Sequence, residues 1–344
     1  MAQRIPRIAQ LDPLRALAAF LVILQHYLPG FEIGHMPFGW IGVDLFFVIS
    51  GYLITAILLK QKEAHIDRLR IIKGFVIKRA LRLFPAYYAL ILFFVVMRAT
   101  TGLWSWDPGQ GIYYFTYTSN FLFFQEGFLS GHLNHLWSLA VEEQFYLVWP
   151  WFVLFVPRPW LSRLILLGLV FALVCKSTWE WEHIRMLPTS HFDTLGGGAL
   201  LAIHGTSASR IVQFLQRQAG WVALLGLAGM IMCNLEIGTW ALLAVSVLVF
   251  SVSVVAGCIR GFTGWFGWVL DRPILAHLGG ISYGLYLYHL MMPLFIRLAT
   301  QRLGWEVDPY VQLTLGVGAT IAVSELSFRF IERPFLRWKA RFDL

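Results

Sequence analysis

A few ionisable residues interrupt long apolar runs in this chain, and charges in such places are costly and usually kept for a purpose. The stretch "LDPLRALAAFLVILQHYLPG" (11–30) holds Asp12, Arg15 and His26. At about 1.5 Å of helical rise per residue, His26 stands about 16 Å beyond Arg15 along one axis. A neutral imidazole can accept a proton near neutral pH, and a guanidinium can hold an anion through several directed bonds. Further on come Lys78, Arg79 and Arg82. Arg79 and Arg82 are three residues apart, hence on one helix face. That pair suits a polyphosphate, and it equally suits lipid headgroups. Asp44, the neighbours Glu142 and Glu143, and Asp193 complete the set of acids within apolar runs.

The composition fixes the setting for these groups. Of 344 residues, 58% are hydrophobic and 13% charged, about half the charged share of a soluble protein. Apolar runs near twenty residues long recur throughout, which predicts an all-α polytopic membrane protein. The formal net charge of +8 fits basic loops retained on the cytoplasmic side better than it fits nucleic acid, so no nucleic-acid partner is expected. Cys175, Cys233 and Cys258 are widely spaced and show no metal-binding pattern, so neither a disulfide framework nor a metal is expected.

Ten spans are predicted, near 12–29, 39–59, 83–102, 135–156, 162–176, 189–204, 219–235, 238–257, 279–298 and 310–330. The basic loop 60–82 carries eight Lys or Arg and two acids and belongs in the cytoplasm by charge bias, which puts both termini there. The aromatic segment 112–124 is short for a crossing and is read as interfacial or re-entrant. "GGGAL" (196–200) reads as close helix packing rather than a phosphate loop. A single domain over 1–344, with no fused soluble domain, is expected. In this topology His26, Asp44, Glu142/Glu143 and Asp193 fall at similar depth on four helices. The reading is a shared polar cavity around His26, in which one of the two glutamates faces inward.

Taken together, these segments resemble the membrane-bound acyltransferase 3 family. The likeness runs through "LDPLRALAAFLVILQH" with its R-x10-H pattern, "GVDLFFVISGYLIT" (42–55), "KRALRLFPAYY" (78–88) and "NHLWSLAVEEQFYLVWP" (134–150). It continues through "FDTLGGGALLA" (192–202), "ISYGLYLYHL" (281–290) and "IERPF" (331–335), covering about 11–335 in order. Pro13 stands where the family usually has Gly, and His191 where a basic residue commonly precedes "FD".

The resemblance implies transfer of an acyl group, most often acetyl from acetyl-CoA or another acyl-CoA, to a carbohydrate hydroxyl of the cell envelope or an exported glycan. It also implies a bacterial inner (plasma) membrane location. An extracytoplasmic or envelope-synthesis partner that completes the transfer would then be a separate protein. In this reading Arg79 and Arg82, helped by Arg15 and Lys78, bind the phosphates of acyl-CoA. His26 acts as general base, with Glu142 or Glu143 orienting its ring and Asp44 nearby. Asp193, Tyr283 and His289 line the cavity. An acyl-histidine relay is the competing chemistry. Trp104, Trp106 and Tyr113 are candidates for sugar stacking or an interfacial belt. A transporter of a glycan or small metabolite, or a proton-coupled carrier, is the alternative function, since the same acids and histidine suit a proton relay.

Overall fold

A computed structural model describes residues 8–28, 32–33, 36–37, 39–64, 66–102, 108–128, 132–178, 181–205, 209–305, 308–339 and 342. Trp104 and Trp106 lie outside these. The described chain is helical apart from a two-stranded hairpin, β1 (Glu32–Ile33) with β2 (Met36–Pro37).

Helix α1 (Leu11–Tyr27) is followed by the hairpin, then α2 (Trp40–Glu63) and α3 (Arg68–Thr101). The expected basic loop 60–82 is therefore mostly helix. Only four residues separate α2 from α3, and the Asp67 side chain caps α3 by accepting from the Arg70 amide at 2.8 Å. Segment 112–124 forms two short helices, α4 (Gly111–Phe115) and α5 (Ser119–Glu126), with Tyr117 between them at positive φ. Then come α6 (Leu136–Phe155), α7 (Arg158–Thr178), the single turn α8 (Trp181–Ile184) and α9 (Phe192–Gly205). The amphipathic α10 (Arg210–Arg217) leads into α11 (Ala219–Asn234) and α12 (Trp240–Arg260).

The expected span 279–298 is not one helix. After α13 (Gly264–Leu270), it is divided among the end of α14 (Pro273–Gly280), α15 (Ser282–Tyr288), a 3-10 turn His289–Met291 and α16 (Met292–Arg302). The last pieces are α17 (Pro309–Ser327), a π-helical turn Phe328–Glu332 and α18 (Arg333–Lys339).

Five described stretches are long and apolar enough to cross a membrane: α2, α3, α7, α12 and Pro309–Trp338. Not every one of the ten expected crossings coincides with a helix of that length. α9 has 14 residues, about 21 Å of rise against a hydrocarbon core of about 30 Å. Length and apolarity in sequence do not reveal where a run breaks.

Glycines set the close crossing of α2 and α9. A Cβ at Gly198 of α9 would collide with the Val48 carbonyl of α2, and one at Gly51 with the Leu195 carbonyl. The "GGGAL" stretch thus brings α2 and α9 into backbone contact, as small residues do in apolar bundles. Near the opposite end of α2, Lys62 donates to the Val153 and Val156 carbonyls at 2.8 and 3.0 Å, and Glu63 pairs with Arg158. Both contacts fix α2 to the α6–α7 turn.

Candidate active site

Helices α1, α2, α3, α6 and α15 converge on a narrow cavity of about 60 Å³. Arg15, Arg79 and Arg82 line it together with Glu142 and Tyr146, and Ser138, Tyr283 and Tyr286 line it as well. Position along α6 gives the cavity a direction. Tyr146 lies beside Arg79, whose guanidinium is 4.8 Å from its ring centre. Ser138, eight residues earlier and so about 12 Å away along the axis, shares a 2.5 Å hydrogen bond with the Tyr286 hydroxyl. One end is therefore cationic and the other carries two hydroxyls. Tyr283 bridges to α3 by donating to the Leu83 carbonyl at 2.8 Å. Lys78, on the same helix as the arginine pair, is not part of the lining.

Beyond the hydroxyl end stand three imidazoles from distant parts of the chain. The Tyr286 ring lies 5.6 Å from both His135 and His289. His289 lies 5.0 Å from His135 and 5.0 Å from His26. His135 and His289 are buried, whereas His26 is exposed. Each ring has one nitrogen against a backbone carbonyl: His26 Nδ1 to Val22 at 2.8 Å, His289 Nδ1 to Tyr286 at 2.6 Å and His135 Nε2 to Leu287 at 3.0 Å. A carbonyl only accepts, so those nitrogens carry the protons and the opposite nitrogens keep their lone pairs. His289 Nε2 and His135 Nδ1, the two lone-pair atoms inside, have no hydrogen-bond partner among the described residues. The Tyr27 hydroxyl donates to the His289 carbonyl at 2.5 Å and bonds Thr320 at 2.7 Å, tying the 3-10 turn to α1 and α17.

The acids are placed differently from the shared cavity that equal depth suggested. Glu142 faces the central cavity and accepts from Ser50 and Tyr146. Glu143, one residue on and turned by about 100°, is buried and faces a lateral pocket of about 190 Å³ with Tyr88 and Tyr117. Neither carboxylate orients the His26 ring; the Val22 carbonyl does. Asp44 pairs instead with Arg185 at 3.3 Å, with His191 Nδ1 3.7 Å away. Arg185 also lies over Trp40 at 4.1 Å, and His191 stacks on Trp137 at 5.3 Å. Asp193 pairs with Lys176 at 2.7 Å and is absent from the lining of the central cavity. All of these charged groups are 3% exposed or less. Asp44 with Arg185, and Asp193 with Lys176, offset each other's charge, as charges removed from water must.

A family model described as an acyltransferase domain matches residues 8–328. The chain belongs to the acyltransferase 3 family. Among its relatives, the peptidoglycan O-acetyltransferase OatA of Listeria monocytogenes is 33% identical, over 95% of this chain and 55% of the relative. The putative peptidoglycan O-acetyltransferase YrhL of Bacillus subtilis is 31% identical over 94% and 54%. The putative O-acetyltransferase SAR0937 of Staphylococcus aureus is 29% identical over 96% and 59%. The chain thus spans a little over half the length of these curated relatives. No solved structure matches it.

Within this acyltransferase 3 chain, sequence reasoning placed Arg15, Arg79 and Arg82 among the site residues, and the structure brings all three to one cavity. It missed His135, Ser138, Arg185 and Lys176. His135 and Ser138 stand in "NHLWS", where a histidine and a hydroxyl three residues apart share a helix face. That was the signal available for them. Arg185 gave no comparable signal, because its partner lies 141 residues away.

Proposed function

We propose that this chain transfers an acyl group, acetyl in the simplest case, from acyl-CoA bound at the arginine end to a hydroxyl of a cell-wall carbohydrate at the His26 end. Peptidoglycan is the acceptor we favour, in keeping with the relatives' names. The observation that carries the reading is a cavity lined by three arginines at one end and by Ser138 and Tyr286 at the other, with the rings of His289 and then His26 in succession beyond Tyr286.

Arg79, Arg82 and Arg15 hold the donor phosphates by charge-assisted bonds. The pantetheine arm follows the α6 side of the cavity, widening it by rotation of the aromatic lining, and presents the thioester near Ser138 and Tyr286. Their hydroxyls, turning from each other and from the His135 carbonyl that both reach, donate to the carbonyl oxygen as charge develops on it. The His26 Nε2 lone pair takes the proton of the attacking sugar hydroxyl, held in that tautomer by the Val22 carbonyl. The new C–O bond forms as the C–S bond breaks, and the departing thiolate recovers the proton from the imidazolium. Glu142 keeps Ser50 and Tyr146 in place along the passage. Asp44 and Asp193 hold α2, α7 and α9 together through Arg185 and Lys176.

The test is acyl-CoA consumption by the purified protein in nanodiscs, with a peptidoglycan acceptor and thiol detection of free CoA. Replacing Arg79 and Arg82 together by Ala should raise the KM for acyl-CoA strongly. An unchanged KM would remove the donor site from this cavity.

A further inference from the structure

On the face of α1 turned away from the arginine-lined cavity lies a second cavity, of about 1000 Å³, between α1 and the α11–α12 pair. Its walls are apolar, with Leu14, Leu21 and Leu24 on one side and Leu227, Phe250 and Val254 on the other. From Leu14 to Leu24 the wall runs for about 15 Å, the hydrocarbon depth of one bilayer leaflet.

One end differs in character. Arg217, in the last turn of α10, and Arg260, in the last turn of α12, line it beside Trp221 and Trp265. Both arginines are exposed, and neither is paired with an acid among the described residues. Trp221 is 72% exposed and Trp265 77%, as suits rings at headgroup level. This end lies on the Arg15 side of the molecule. The Gln10 side chain, just before α1, donates to the Phe262 carbonyl at 3.0 Å and accepts from the Phe262 amide at 2.7 Å.

We propose that this groove is a binding site for one anionic phospholipid of the leaflet on the Arg15 side. The acyl chains lie along α1, and the phosphate sits between Arg217 and Arg260. The two guanidiniums supply what a phosphodiester requires, and the Trp pair marks the depth at which it would sit. An apolar helix from a second copy would fill the groove but leave both cations covered and unpaired, which is costly. The bound lipid fills the space between α1 and α11–α12, and so seats the helix that carries Arg15 and His26.

Native mass spectrometry of the full chain, released from detergent after incubation with phosphatidylglycerol or phosphatidylcholine at equal concentration, tests this. The wild type should retain one phosphatidylglycerol in preference to phosphatidylcholine. Replacing Arg217 and Arg260 by Gln, both exposed and safe for folding, should cut that preference roughly thirtyfold. Equal retention of the two lipids by the wild type would overturn the proposal, as would an unaltered preference in the double variant. A lipid-free dimer closed over the groove would also overturn it.

Discussion

The imidazoles of His26 and His289 meet with their centres 5.0 Å apart, one exposed at the end of α1 and the other buried in the 3-10 turn after α15. Through His289 the exposed ring is joined to Tyr286, and through Tyr286 to the passage that ends among the arginines. The account therefore assigns different steps to the two ends, and each can be disturbed separately.

Removing the phosphate ligands should affect donor binding before chemistry. Hydrogen bonds to charged groups contribute roughly 1.5–3 kcal/mol each, so Arg79→Ala or Arg82→Ala should raise the KM for acyl-CoA by about tenfold or more. Steady-state CoA release at saturating acceptor gives the value, and kcat should change far less.

Tyr286→Phe keeps the ring and removes the hydroxyl shared with Ser138 and the His135 carbonyl. Loss of a donor to a developing oxyanion costs on the order of 10²-fold in rate. The expectation is a fall in kcat of that order with an unchanged KM for acyl-CoA, read from the same assay.

The buried pair of Asp44 and Arg185 should prove structural. Arg185→Met leaves Asp44 without its main partner and should destabilise the protein by about 3–5 kcal/mol. Asp44→Leu combined with Arg185→Met removes both charges and should recover most of that loss. Thermal unfolding of the three variants in detergent measures the difference. A double variant as unstable as the single would mean that the charges do more than neutralise each other.

At the α2–α9 crossing, Gly198→Val should abolish folded protein, because even a Cβ meets the Val48 carbonyl. Gly318→Ala in α17, where an added Cβ meets nothing within 4 Å, should instead stabilise by roughly 0.5–1 kcal/mol. Yield of monodisperse protein after gel filtration separates the two cases.

The parts of this site that were legible in the sequence are those written along a single helix. Arg15 and His26 are eleven residues apart in one apolar run, and Arg79 and Arg82 three apart in another, so spacing alone fixed their relative height and face. What escaped depends on rotation about a helix axis and on distant partners. Asp44, Glu142 and Asp193 were expected around His26 because they matched it in depth. Depth is one coordinate of three, and each carboxylate turns to a neighbour of its own. The three-histidine cluster joins residues 26, 135 and 289, a meeting that no local pattern encodes. The broken span is a similar case. "SYGLYLYHLMMPLF" is apolar without interruption, yet its helix gives way at His289 and resumes with Pro293 in the first turn of α16.

The measurement that bears most directly on the account is acceptor-dependent release of CoA by wild type and His26→Ala in nanodiscs, each supplied with acetyl-CoA and peptidoglycan fragments. The account predicts steady release by the wild type, and a loss of at least 10²-fold in His26→Ala with acetyl-CoA still bound. Equal release by both proteins would contradict it, and would take the general base away from His26.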